Sequence, residues 1–180
     1  TMLTLQQLMD AWNALFHAEI SAAPLVLFRI LIGTLLLINA LLLFPLTDDY
    51  FSADGVWPTR NWKLQLAGRR FSFLHWLPDS TWSFRILLLV HLIACLMLLI
   101  GWHFRPACII VFLTLVSLQH RNAMILSSGD SLLRILLFLC CFSSAGDGLS
   151  VDHWLAGRPL LEFSPIDPWP LRLMQIQISI

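Results

Sequence analysis

The first residue whose type and position suggest chemistry is His91, an imidazole near the middle of the apolar run SFRILLLVHLIACLMLLIGW. In such a setting a histidine can relay a proton or hold a ligand by a hydrogen bond, and ionisable groups inside a membrane are functional candidates by default. It can equally be a neutral ring bonded to a neighbouring helix. Both readings stand at this point. The second group is denser: His120, Arg121 and Asn122, then Asp130 and Arg134. On a helix Asp130 and Arg134 share a face, so the carboxylate can neutralise an arginine that lipid would penalise. The alternative is a polar pocket between two spans in which Arg121 or Arg134 holds an anionic headgroup or a carboxylate. These six residues, His91, His120, Arg121, Asn122, Asp130 and Arg134, are the candidate ligand-binding set.

Other reactive types are present without a pattern that organises them. Asp147, Asp152 and His153 fall in one later connection, but their spacing matches no particular metal site. The four cysteines, Cys95, Cys108, Cys140 and Cys141, all lie in apolar runs without CxxC spacing, as small packing residues do. Lys63 is the single lysine, and arginine stays protonated, so a lysine base has one candidate at most. No catalytic residue and no metal ligand is assigned.

The elements that must carry these residues are membrane helices. Of the 180 residues 58% are hydrophobic and 12% charged, against about a quarter charged in ordinary soluble domains. Mean hydropathy is +0.76. So little charge cannot solvate a compact domain of this size, and lipid must be the solvent. The 11 basic and 11 acidic side chains balance, which excludes the concentrated basic face of a nucleic-acid binder. Spans are expected at about 24–44, 83–102, 106–122 and 131–144, with a fifth beginning near 170, inside a transmembrane domain of 23–180. Residues 1–22 form an amphipathic segment, with Leu5, Leu8, Met9, Trp12 and Leu15 at helical spacing. It lies in the membrane interface or packs against the protein's own loops, and both are open. The fold class is therefore all-α: a polytopic transmembrane helical bundle of about four spans, the start of a fifth, and an N-terminal interfacial helix.

Two further expectations concern the flanks of these spans. Arg29, just inside the first span, is expected to snorkel toward the headgroups. The connection between the first two spans, together with the start of the second, holds Trp57, Trp62, Trp76 and Trp82. Indoles suit the headgroup belt, so these four are expected interfacial anchors, while a loop of that length is also where a functional lid can lie. The final pattern, LRLMQIQISI, stops without a helix-ending signal, and the natural chain is expected to continue past Ile180.

Three stretches in order carry a family likeness. They are PLVLFRILIGTLLLINALLL with the later DGVWP, then HRNAMILSSGDSLLRILLFLCCFSSAGDGLSVD, then PWPLRLMQIQISI. Together they resemble the horizontally transferred transmembrane domain family, to which vitamin K-dependent gamma-carboxylase belongs, with this chain as a divergent bacterial-type member. The resemblance implies an all-helical membrane domain and a bacterial inner (cytoplasmic) membrane location. In the carboxylase branch it implies a quinone cofactor, oxidised in reduced form by a lysine base and coupled to glutamate carboxylation. That lysine belongs to the helix after the Gln175-x-Gln177 stretch, beyond this chain, and Ala123 stands after Asn122 where the branch has histidine. The leading expectation is a lipid- or quinone-binding or accessory subunit without a complete catalytic set, bound to membrane lipids and other membrane subunits and not to nucleic acid. A carboxylase-like enzyme completed beyond residue 180, and a structural subunit of a larger membrane complex, are the alternatives.

Overall fold

The computed structural model describes residues 5–17, 19–47, 81–121 and 128–179. Trp57, Trp62, Trp76, Lys63, Asn122 and the connections that hold them lie outside the described residues. In chain order the elements are α1 (Leu5–His17), β1 (Ile20–Ser21), α2 (Ala23–Leu43), α3 (Thr81–Ile100), α4 (Phe104–Arg121), α5 (Ser128–Cys141), α6 (Val151–Leu155), β2 (Pro165–Ile166) and α7 (Trp169–Ser179).

Local sequence sets the ends of these helices. Pro24 occupies the first turn of α2, where a missing N–H costs nothing, and Pro45 cannot continue the helix beyond the Phe44 cap. The α3–α4 turn is a Schellman cap: Trp102 N–H donates to Met97 O at 2.9 Å and Gly101 N–H to Leu98 O at 3.3 Å. Gly101 supplies the left-handed conformation this cap requires, at φ +70°. Ser150 caps α6 by accepting from His153 N–H at 3.1 Å. The Asp152 side chain reaches back to accept from Phe104 N–H at 3.3 Å, satisfying a free amide at the start of α4.

Helices α2 to α5 form an up-and-down bundle in which each packs on the next, α7 packs on α5, and α1 touches α7. Gly33 of α2 meets Leu99 near the end of α3, while Ala40 clusters with Phe84, Leu87 and Leu88 near its start, so the pair is antiparallel. A β-carbon on Gly33 would lie 3.2 Å from the Leu99 Cα, the close backbone approach that small residues permit between membrane helices. At one end the chain folds back on itself. There β1 pairs antiparallel with β2, Ile20 opposite Ile166 and Ser21 opposite Pro165.

Helices α2 (Ala23–Leu43) and α3 (over Trp82–Ile100) are long and apolar enough to cross a membrane, and α4 is a shorter apolar helix. Their interior stripe includes Leu25, Val26, Ile32, Leu36, Ala94, Cys95 and Leu98. Leu27, Leu31, Leu35, Ile38 and Leu42 of α2, and Ile86, Leu89, Ile93 and Leu96 of α3, face outward. Leucines on both faces of one helix require an apolar solvent on the outer one. The chain is an all-α membrane bundle. In α1 the apolar residues Leu5, Leu8, Met9, Trp12 and Leu15 remain exposed although its end contacts α7, where Arg172 Nε donates to Leu15 O at 3.3 Å.

Arg29 differs from the sequence expectation. It does not reach for headgroups: its side chain is 0% exposed, on the same stripe as Leu25, Val26, Ile32 and Leu36. One terminal nitrogen donates to Ala145 O at 2.9 Å and Gly148 O at 3.5 Å, the other to Leu149 O at 2.6 Å. Three carbonyls of the loop after α5 replace the water that snorkelling would have supplied.

Candidate functional site

At the opposite end from Arg29, the last turns of α2 and α4, the 88–91 stretch of α3 and the first turns of α5 line a cavity of about 480 Å³. Its walls are mainly leucine, including Leu36 and Leu43 of α2, Leu88 of α3, Leu115 and Leu118 of α4, and Leu133 of α5. Its polar lining is Asn39, His91, Gln119 and Asp130. The antiparallel order brings them together, since His91 lies ten residues into α3 and Asp130 in the first turn of α5.

His91 is buried, and its hydrogen bonds fix the ring. Nδ1 lies 2.7 Å from Thr114 Oγ1. The threonine hydroxyl hydrogen is itself directed at Ile110 O, 2.7 Å away, so the hydroxyl oxygen accepts and Nδ1 carries the proton. That leaves Nε2 as an acceptor, and the Cys95 thiol is 3.5 Å from it. The imidazole is thereby a neutral wall of the cavity with both nitrogens engaged.

Gln119 is the link to α5. Its Nε2 donates to Asp130 Oδ1 at 3.4 Å. An ionised carboxylate can only accept, so this bond orients the amide and assigns the opposite corner to oxygen. Among the described residues that oxygen, Oε1, is buried without a hydrogen-bond partner. Buried polar atoms in native proteins are nearly always satisfied, so an orphan acceptor on a cavity wall marks a place where a donor belongs.

The remaining candidates occupy neighbouring positions. Arg134 donates from NH1 to His120 Nε2 at 3.2 Å and from NH2 to Ser131 Oγ at 3.1 Å. A guanidinium only donates, so His120 Nε2 is the acceptor of that bond. These residues stand one position along from Leu133 and Gln119 of the cavity wall. Arg121 ends α4, its side chain is not described, and Asn122 lies outside the described residues. Trp82 is largely exposed at the start of α3, with the Arg85 guanidinium 5.4 Å from its ring centre, as an anchor at a polar boundary would be.

Gln119 and Asn39 were not among the sequence candidates. Each is a single uncharged amide near the end of an apolar helix, where polar residues ordinarily mark a boundary; only the helix packing reveals that both face one cavity.

Among the described residues no group of three or more histidine, cysteine, aspartate or glutamate side chains is placed to hold a metal. Asp152 serves the start of α4, and His153 is buried in α6. The four cysteines are free thiols, but two of them meet: Cys108 of α4 and Cys141 of α5 have their sulfurs 3.2 Å apart.

The cavity thus offers apolar walls, one carboxylate and an unsatisfied amide oxygen. It can hold a small amphipathic molecule and orient its polar end. In comparison with known families, the model of the HTTM domain matches residues 17–180. No curated protein and no solved structure matches the chain.

Proposed function

The chain belongs to the HTTM domain family, the domain found in vitamin K-dependent gamma-carboxylase, and from that premise we propose that its bundle binds one amphipathic small molecule, a lipid or a quinone, in the α2–α5 cavity. The observation that carries this reading is the buried Gln119 amide oxygen, without a partner among the described residues, on the wall of a leucine-lined cavity. Volume supports it. At about 480 Å³ the cavity falls within the range of roughly 300–1,000 Å³ typical of small-molecule sites, enough for one drug-sized ligand. Composition supports it too, because pockets of this kind combine mostly apolar walls with a few convergent polar groups.

Physically, the leucines supply affinity and the polar groups supply orientation. Transfer of a ligand from the surrounding lipid gains little from apolar burial alone, since lipid tails are as apolar as leucine. Selectivity must therefore come from the fit of the cavity and from Asn39, His91, Gln119 and Asp130. Ala40→Phe places a ring in the cavity without adding charge. Titrating the purified protein with a short-chain benzoquinone or a single-chain lipid, and counting bound species by native mass spectrometry, should show one ligand per chain. The Ala40→Phe variant should lose that ligand while keeping its helical circular dichroism. Equal retention by both proteins would remove the cavity from consideration.

A further inference from the structure

At the Arg29 end, two segments outside the spans expose large apolar side chains. The first is α1, whose Leu5, Leu8, Met9, Trp12 and Leu15 recur at helical spacing and are all exposed. Gln6, Asp10 and Asn13 lie away from that row and are exposed too. The second is the stretch 154–161, where Trp154, Leu155, Leu160 and Leu161 are exposed around the exposed Arg158.

The fold brings these segments to one place. Helix α1 runs into β1, residues 154–161 run toward β2, and the two strands pair just before α2 begins. Leu149 N–H donates to Leu160 O at 2.9 Å and Arg172 Nε to Leu15 O at 3.3 Å, so both segments are tied to the rest of the chain. Trp102, in the α3–α4 turn at the same end, is exposed as well. Three elements thus present an indole each, Trp12, Trp102 and Trp154, where an aromatic belt would stand.

Lipid is the occupant that fits these features. The segments lie where the outward leucines of α2 and α3 run out, so their apolar surface continues the flank that meets hydrocarbon. A helix of 13 residues is marginal in water by itself, whereas a boundary between hydrocarbon and water satisfies both sides of α1 at once. Charge does not call for acidic headgroups: α1 has Asp10 and no lysine or arginine, and Arg158 is the single cation of 154–161. We infer that the Arg29 end is seated in the headgroup–acyl boundary of one leaflet by two anchors, the apolar row of α1 and the 154–161 segment, whatever the charge of the lipid.

The test places the photoreactive residue p-benzoylphenylalanine singly at Leu8, at Leu161 and at Ala14, which lies on the side of α1 opposite the row, in the full chain in phosphatidylcholine nanodiscs. After irradiation and digestion, mass spectrometry identifies the adducts. Leu8 and Leu161 should give adducts with phospholipid acyl chains, and Ala14 should lose them. Replacing part of the phosphatidylcholine by phosphatidylglycerol should leave the yield unchanged. Peptide adducts in place of lipid, from this chain or from a second copy, overturn the inference, as does equal lipid labelling at Leu8 and Ala14. Labelling that requires phosphatidylglycerol overturns its independence of charge. In the wild type, which carries no substitution, hydrogen exchange over α1 should be slowed in the same nanodiscs; exchange as fast as in an unfolded peptide overturns the seating of α1. None of these outcomes bears on the α2–α5 cavity.

Discussion

Arg29 carries a charge to a place with no exposure at all, and three loop carbonyls accept its hydrogen bonds there. Its Nε is buried without a hydrogen-bond partner among the described residues, and its two terminal nitrogens are held by backbone carbonyls. Arginine suits this because its planar fork presents several donors in fixed directions, which a lysine ammonium does not. Arg29→Met should therefore release the loop at 145–149 and lower stability by at least about 1.5 kcal/mol, the lower figure for a hydrogen bond to a charged group. Arg29→Lys should recover only part of it, and thermal unfolding in detergent checks both. Gly101 is bound to the same cluster by space. A β-carbon there would stand 2.4 Å from the Ser150 Cβ and 2.6 Å from an Arg29 terminal nitrogen, at a φ of +70°. Gly101→Ala should cost about 1–2 kcal/mol from the left-handed backbone alone, with the clash added. The burial of Arg29 was within reach of the sequence, since it falls on the 25, 26, 29, 32, 33, 36 stripe. The partners were not, because they come from a loop more than a hundred residues away. The same holds for the cavity: His91 and Asp130 were visible as polar groups in apolar surroundings, whereas Gln119 took on meaning only once Asp130 was found against it.

Between elements, the bundle is held by close approach and by few polar links. Gly33 shows the first: α2 and α3 come so near that an added β-carbon lies 3.2 Å from the Leu99 Cα, with backbone rather than a yielding side chain opposite. Gly33→Ala should destabilise by about 1–3 kcal/mol, the usual cost of overpacking, and Gly33→Leu by more, read as a fall in melting temperature. At the α4–α5 contact the Cys108 and Cys141 sulfurs are 3.2 Å apart as free thiols. Mild oxidation with copper–phenanthroline should therefore couple α4 to α5, lowering the mass by about two hydrogens and leaving two of the four thiols open to a maleimide in denaturant. Cys108→Ser should keep the mass unchanged; an oxidised wild type with four reactive thiols would mean that α4 and α5 do not meet at these positions. The positions of the helices were legible because apolar runs bounded by Pro24, Pro45 and Gly101 have few other ways to fold. Their rotation was not. Leu35 and Leu36 are the same residue side by side, yet one is 57% exposed and the other 2%. A helix that is apolar all round carries no pattern to say which face turns inward.

Taken as one body, the molecule separates its polar features to the two ends of the bundle and gives its flanks to lipid. One end, with Arg29, the α3–α4 turn, α6 and the β1–β2 pairing, is tied by hydrogen bonds between distant parts of the chain. The other end holds the cavity, where the Gln119 amide oxygen is buried without a hydrogen-bond partner among the described residues. This division explains why composition alone could establish a membrane bundle but not its ligand. Bulk solvent preference is additive over many leucines, whereas a site depends on which four or five side chains four helices bring to one point. It also makes the outer surface testable independently of any ligand. Leu31 lies near the middle of α2 and is 61% exposed, on the face opposite the Leu25–Leu36 stripe. If that face meets hydrocarbon, Leu31→Arg places a charge near mid-membrane and should reduce insertion by about 2.5–3.5 kcal/mol, whereas Leu31→Phe should be tolerated. The fraction of chain resisting carbonate extraction from membranes measures this. Full membrane retention and an unchanged melting temperature for Leu31→Arg would instead place that face of α2 against water or a polar partner.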